Sequence, residues 1–129
     1  MKHLIEFNKY LITENKKYEH INFIPYKIMS SRAKRGLKYV KEHNLKISPT
    51  ILSVAKKIAK RDKISPILIN KMTAFFKRYK HIKNTNKKEP WKDIKYVKFI
   101  LMGGDTGRVW SERIRTQIVK ADNKNKKKK

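Results

Sequence analysis

The residues of this chain that are best suited to binding chemistry are cations on one side of a short helical pattern. Ile51, Ala55 and Ile58 recur at helical spacing and form an apolar stripe. The opposite face of the same segment carries four cations: Lys56, Lys57, Lys60 and Arg61. Ammonium and guanidinium groups on an exposed face bind phosphate oxygens without reading bases, so this face predicts contacts with a nucleic-acid backbone.

Further cations extend this prediction along the chain. A second apolar stripe is flanked near its end by Lys77, Arg78 and Lys80, and the C-terminal residues add Lys124, Lys126, Lys127, Lys128 and Lys129. The 129 residues contain 35 Lys and Arg against 10 Asp and Glu, which gives a formal net charge of +25. Like charge at this density opposes compaction, so it favours a polyanionic partner. The abundance of Lys, Asn and Ile also suits an AT-rich genome, and part of the charge need not reflect function.

Residues suited to catalysis or metal binding do not form recognisable sets. The chain has no cysteine, and its 4 histidines are scattered: His3, His20, His43 and His81. None has the spacing of a metal-ligand pair, and no Ser-His-Asp arrangement or nucleophile elbow is visible. We therefore expect no enzymatic activity, cofactor, metal or small-molecule substrate. Trp91, Trp110 and Tyr79 lie at core spacing, which predicts packing rather than base stacking.

The sharpest local motif runs from Met102 to Trp110 and predicts a tight corner between two helices. Paired glycines permit the positive φ that ends a helix, and the aspartate after them stands where it could cap the next helix. The structural residues of this corner are Gly103, Gly104, Asp105, Gly107, Arg108 and Trp110. The alternative is an anion site at a helix N-terminus, assisted by Arg108. We prefer the structural interpretation, because Asp105 would repel an anion and the Gly-Lys-Ser/Thr ending of a phosphate-binding loop is absent.

The elements that position these residues are short helices. Apolar periodicity and the Ser-Pro and Pro-Trp start signals predict five helical segments, which begin at about residues 28, 48, 65, 90 and 105. We therefore predict an all-α fold, a compact bundle of four to five short helices. Residues 1–26 form an N-terminal arm or helix, residues 27–121 the helical domain, and residues 122–129 a disordered basic C-terminal tail. The longest apolar run, at residues 99–102, is too short to span a membrane.

Residues 26–110 resemble a small domain found in proteins of tailed phages and large DNA viruses. The resemblance includes a first helix like residues 31–37 and the closing Gly-Gly-Asp-x-Gly-Arg-x-Trp corner at residues 103–110. It also includes a Ser-Pro helix, matched by Ser65, Pro66, Ile69, Met72, Phe75, Phe76 and Arg78. The chain departs from the family at Met102, where a Trp is usual, and at residues 44–46, where a Gly-rich turn is usual. The resemblance implies a viral origin and a compact helical fold, and it implies no particular activity.

Taken together, these features predict a viral protein that binds DNA or RNA through the backbone, associated with the genome or the virion and located in the virion or the host-cell cytoplasm. One alternative is a minor capsid or connector component that acts through other virion proteins. Another is a ribosomal-type RNA-binding protein from an AT-rich genome. An ordered C-terminal tail would favour either alternative, because an isolated lysine run has no reason to hold one conformation. We expect no membrane partner.

A helix-turn-helix is a weaker prediction from the two Ser-Pro helices. The connection from Ala59 to Ser65 is longer than the usual turn of three or four residues. The cations that would face a groove are mainly lysines, which bind phosphates more readily than they read bases. Sequence-specific recognition is therefore not expected.

Overall fold

A computed structural model describes residues 17–79, 82 and 87–127, with side chains up to residue 124. Within these residues the chain forms five α-helices and no strand. The helices are α1 (Lys27–His43), α2 (Pro49–Lys60), α3 (Pro66–Arg78), α4 (Ile94–Leu101) and α5 (Gly104–Lys127), and a 3-10 turn, Pro90–Lys92, precedes α4. The all-α prediction is confirmed.

The two Ser-Pro signals start helices as predicted. The Ser48 hydroxyl accepts a hydrogen bond from the Ile51 N–H at 3.3 Å, and the Ser65 hydroxyl accepts one from the Leu68 N–H at 3.3 Å. In both helices a proline occupies the first turn, where its missing N–H costs no hydrogen bond. The starts of α2 and α3 are therefore fixed by local sequence.

The predicted fourth helix was wrong at its start. The Pro-Trp pair does not open α4 but forms the separate 3-10 turn. Asp93 follows with an extended backbone, and its carboxylate accepts a hydrogen bond from the Tyr96 N–H at 3.2 Å. This aspartate is a better N-cap than the residue before Pro90, because its side chain satisfies an N–H of the first helical turn.

The core lies where the helices converge, and Trp110 is at its centre with only 2% of its surface exposed. Met29 from α1, Ile58 from α2 and Phe76 from α3 belong to the same buried cluster. A second, smaller cluster joins α2 to α4 through Ala55, Val97 and Leu101. Phe76 meets the Phe99 ring edge to face, with centroids 5.9 Å apart. Burial of these large side chains supplies the main driving force for folding.

The described part of the predicted N-terminal arm, residues 17–26, packs on the helical domain. Its backbone is neither helix nor strand from residue 21 to residue 26, and the Phe23 carbonyl accepts a hydrogen bond from the Ile64 N–H at 3.1 Å. Ile21 and Pro25 are buried. Residues 17–26 are therefore continuous with the domain, and the prediction for residues 1–16 lies outside the described residues.

The basic tail predicted at residues 122–129 begins within a helix, because the backbone of α5 continues to Lys127. Ala121 is buried. The next residue, Asp122, is contacted by two residues of the arm. Its carboxylate accepts a hydrogen bond from the Tyr18 hydroxyl at 2.8 Å and lies 2.6 Å from the Lys17 ammonium. These long-range contacts hold α5 against the arm at Asp122, and local charge density does not reveal them. Lys128 and Lys129 lie outside the described residues.

Asp122 also changes the acid–base behaviour of its two partners. The hydrogen bond with Asp122 is the main cause that raises the pKa of Lys17 above its usual value. Burial raises the pKa of Tyr18, and the neighbouring Asp122 raises it further. Both groups therefore hold their protons more tightly in the folded protein.

Candidate nucleic-acid interface

The predicted cationic face of α2 is present on the surface. Lys56 and Lys60 are exposed, and Lys57 is half-buried. All three line a shallow depression of about 460 Å³, whose rim also includes Asp62. This face presents three ammonium groups to a ligand and one carboxylate beside them.

Arg61 is exposed at the end of α2 and also makes a structural contact. It ends α2 in the left-handed conformation, with φ 55°, and its Nε donates a hydrogen bond to the Pro25 carbonyl at 2.9 Å. Asn44 ends α1 in the same way, with φ 50°. Arg61 therefore anchors the N-terminal arm, and a structural use of its guanidinium was not visible from its spacing.

A second cationic surface lies in the groove between α3 and α5. Lys77 from α3 faces Arg115 and Lys120 from α5 across a groove of about 610 Å³. Among the described residues, none of these three cations forms a hydrogen bond or an ion pair. The one carboxylate in the groove, Glu112, lies 3.8 Å from the Arg108 guanidinium. We call this surface the α3–α5 groove and define it by Lys77, Arg115 and Lys120.

Arg115 and Lys120 were missed by sequence reasoning. The sequence pattern of α5 predicted an apolar stripe at Trp110, Ile114 and Ile118, and these residues are buried. The available signal was the position of both cations outside that stripe. Nothing local, however, indicated that α3 would pack against α5 and place Lys77 opposite them.

The other predicted cations are dispersed over the surface. Arg78 is exposed at the end of α3, and Lys124 is exposed on α5. Lys126 and Lys127 belong to α5 by their backbone. Lys80 lies outside the described residues. The structure thus separates the predicted set into the α2 face, the α3–α5 groove and the C-terminal end of α5.

The corner between α4 and α5 is filled by the protein itself. Gly103 and Gly104 have φ of 96° and 67°, a region that disfavours other residues. A side chain at Gly107 would overlap the Met102 carbonyl oxygen. The Arg32 guanidinium donates hydrogen bonds to the Gly103 carbonyl at 3.3 Å and to the Thr106 hydroxyl at 3.2 Å. This occupancy supports a structural corner over an anion site.

Two details of the predicted corner differ. Asp105 is not the N-cap, because α5 begins one residue earlier at Gly104 and the Gly107 N–H bonds the Gly103 carbonyl at 3.1 Å. Asp105 is instead an exposed acid in the first turn of α5. Its negative charge interacts favourably with the helix dipole and stabilises the helix by about 0.3–1 kcal/mol. Arg108 turns along α5 toward Glu112, and its Nε is buried without a hydrogen-bond partner among the described atoms.

The three aromatic residues predicted to pack in the core differ in burial. Trp110 is buried, and Tyr79 is half-buried beside Phe75, with ring centroids 4.7 Å apart. Trp91 lies at the surface in the 3-10 turn and is only half-buried. Its ring is parallel to the exposed His43 ring, and their centroids are 4.2 Å apart. Packing in the core was therefore the wrong interpretation for Trp91, because its turn lies outside α4.

Within the described residues, no group of three or more His, Cys, Asp or Glu side chains is placed to hold a metal ion. None of the described helices combines the length and apolar composition that crossing a membrane requires. The absence of an enzymatic activity and of a cofactor stays a prediction.

The fold and its exposed cations define a small, basic, all-α domain. Comparisons of the chain with protein families, with curated proteins and with solved structures found no match.

Proposed function

We propose that this protein binds nucleic acid through the phosphate backbone, without sequence specificity, and that the α3–α5 groove is its principal contact. The observation that carries this proposal is the convergence of Lys77, Arg115 and Lys120 in one groove. Among the described residues these cations have no internal partner, unlike Arg61 and Arg32. Unpaired cations in a concave surface attract a polyanion because their fields add.

The continuation of α5 supports a larger contact surface. Lys124 lies one helical turn after Lys120, so both point to a similar side of α5. At about 1.5 Å per residue, the backbone of α5 continues roughly 10 Å beyond residue 120, to Lys127. A helix that continues in this way can follow a phosphate backbone that leaves the groove.

The α2 face is the second contact surface in the proposal. Its three lysines are point charges on flexible stems, which suits phosphate binding without base recognition. The proposed viral setting, associated with the genome or the virion, rests on the sequence resemblance. The alternative of a minor capsid or connector component gains no support from residues 17–26, which pack on their own domain.

The helical course of residues 122–127 favours a second candidate function, the binding of folded RNA by a ribosomal-type protein. A helical backbone in this basic segment suits a ligand of fixed shape. A direct comparison of a structured RNA with duplex DNA at equal salt separates the two candidates. Similar affinities support the general backbone binder, and a preference of a hundredfold or more for the folded RNA supports the second candidate.

The proposed function is tested by the salt dependence of binding to several duplexes of unrelated sequence. If the protein contacts roughly six phosphates, the slope of log K against log salt is about −5 for duplex DNA. Similar affinities across the sequences are expected, because the groove and the α2 face contact phosphates. A slope near zero would overturn backbone binding, and a large preference for one sequence would overturn the absence of specificity.

A pair of charge-matched variants tests the α2 face. Replacing Lys56, Lys57 and Lys60 with Gln should weaken binding while the melting temperature stays nearly unchanged, because their face lies opposite the buried side of α2. The matched control replaces three exposed lysines on separate helices: Lys34, Lys71 and Lys95. Equal weakening by the control would show that only net charge matters. Arg61 is left intact in these variants because it anchors the arm.

A further inference from the structure

Three aromatic rings lead from the core to the surface between α1 and the 3-10 turn. Tyr39 is half-buried and packs against both core clusters. Its ring centroid lies 6.0 Å from that of Trp91, with the planes tilted by 53°. The His43 ring then lies on Trp91 at 4.2 Å, with the planes 3° from parallel. We call these residues the aromatic stack: Tyr39, Trp91 and His43.

Rigid backbone elements hold the aromatic stack in place. Tyr39 and His43 lie one turn apart on α1, so their side chains share a face. Trp91 is fixed by the 3-10 turn, in which the Asp93 N–H donates to the Pro90 carbonyl at 3.1 Å. A ring held in this way loses little conformational freedom when a ligand stacks on it.

The outer end of the aromatic stack faces solvent. His43 is exposed, and Trp91 covers one face of its ring, so the exposed area includes the opposite face. A planar aromatic ligand can continue the stack on that face. Exposed lysines adjoin the stack in the chain: Lys41 and Lys46 near His43, and Lys87 and Lys88 before the turn. A flat exposed ring suits a ligand that contains a planar base.

We propose that the aromatic stack binds an unpaired nucleobase on the outer face of His43. This inference rests on the proposed function and adds a second binding mode to it. Bases inside a duplex are already stacked on each other, so the site selects single-stranded segments, ends or loops. The α3–α5 groove, in contrast, contacts phosphates of paired and unpaired strands alike.

The first experiment uses the intrinsic fluorescence of the unaltered protein. An oligothymidylate of about twelve nucleotides is titrated at low salt, beside an abasic oligomer with the same phosphates and no bases. We expect both oligomers to bind, and only the oligomer with bases to change the tryptophan emission. Trp91→Phe provides the control, because its remaining tryptophan, Trp110, is 2% exposed and should not respond.

The second experiment measures affinity with variants of His43. His43→Ala should lower the affinity for the oligothymidylate by roughly fivefold to a hundredfold, with little change for the abasic oligomer. His43→Phe keeps a flat ring and should retain most of the affinity. Lys41→Ala removes an exposed charge near His43 in the chain. It should lower the affinity for both oligomers to the same small extent.

The outcomes separate this inference from the function on which it rests. Binding of both oligomers without a base-dependent change in Trp91 emission would overturn the nucleobase site and leave backbone binding intact. Equal affinity of His43→Ala and the unaltered protein for the oligothymidylate would overturn it as well. Failure of both oligomers to bind at low salt would overturn the proposed function itself.

Discussion

The α4–α5 corner and the α3–α5 groove each contain an arginine, Arg32 from α1 in the corner and Arg115 from α5 in the groove. The two guanidinium groups differ in their hydrogen-bond partners. In the corner, Nη1 of Arg32 donates hydrogen bonds to the Gly103 carbonyl and to the Thr106 hydroxyl. In the groove, Arg115 has no hydrogen-bond partner among the described residues and faces Lys77. The difference shows that a cation is available to a ligand when the fold leaves its donors unsatisfied.

The comparison predicts that changes in the corner alter stability, and that changes in the groove alter binding. Glycine-rich turns and arginines together suggest a phosphate site in a sequence. In this chain the packing of Met29 and Arg32 against the two glycines occupies that space. The binding surface therefore lies where side chains converge without closing on each other.

The largest effect should come from the tryptophan behind the corner. Trp110→Ala should lower the free energy of unfolding by about 3–5 kcal/mol, because it leaves a large cavity in the core. Trp91→Ala is the matched comparison and should cost about 1 kcal/mol, because Trp91 is half-buried at the surface. Chemical denaturation of both variants measures the difference. Equal losses would contradict the different burial of the two rings.

The next effect concerns the glycine after the corner. Gly107→Ala should lower the stability by about 1–3 kcal/mol, because its added carbon would overlap the rigid backbone at Met102. Gly36→Ala is the matched control. There the nearest atoms are Leu101 Cδ2 at 2.8 Å and Cγ at 2.9 Å, which belong to a side chain rather than to the backbone. Melting temperatures that fall equally in the two variants would show that the corner has no special backbone requirement.

A smaller effect separates an engaged arginine from an exposed one on α1. Arg32→Ala should cost about 1–2 kcal/mol, since it removes two charge-assisted hydrogen bonds to the corner. Arg35→Ala, an exposed position on the same helix, should change the stability by less than about 0.5 kcal/mol. The reverse order in thermal melts would contradict the structural role of Arg32.

The smallest effect concerns the contact between the arm and α5. Tyr18→Phe should cost about 0.5–1.5 kcal/mol by removing the hydrogen bond to Asp122. The raised pKa values of Tyr18 and Lys17 mean that the stabilisation is complete below about pH 10 and is lost as the pH rises through the folded values. Unfolding free energies at increasing alkaline pH should therefore fall more steeply in the unaltered protein than in Tyr18→Phe. Parallel curves would contradict the contact.

Local signals predicted most of the fold, and long-range contacts account for the errors. Ser48 and Ser65 cap their helices through atoms three residues away, so sequence spacing was sufficient. The C-terminal part of α5 is contacted by the arm through Tyr18 and Asp122, which are 104 residues apart. The early start of α5 depends on a corner in which the Gly103 carbonyl, not Asp105, accepts the first hydrogen bond.

The candidate site likewise has one part that local sequence predicted and another that depends on long-range contacts. The α2 face follows from helical periodicity within one segment, and its lysines are found together on the surface. The α3–α5 groove requires the pairing of two helices about forty residues apart, and no periodicity within either one encodes it. The contact of Arg61 with the Pro25 carbonyl likewise depends on the path of the arm, which the α2 pattern does not encode.

The most direct test of the account measures stability and salt-dependent affinity on one preparation of a groove variant. Replacing Lys77, Arg115 and Lys120 with Gln should leave the melting temperature nearly unchanged, because none forms a hydrogen bond or an ion pair with the described residues. The slope of log K against log salt for duplex DNA should decrease in magnitude by about 3, one for each lost phosphate contact. An unchanged slope in the folded variant would contradict the assignment of the α3–α5 groove as the principal contact.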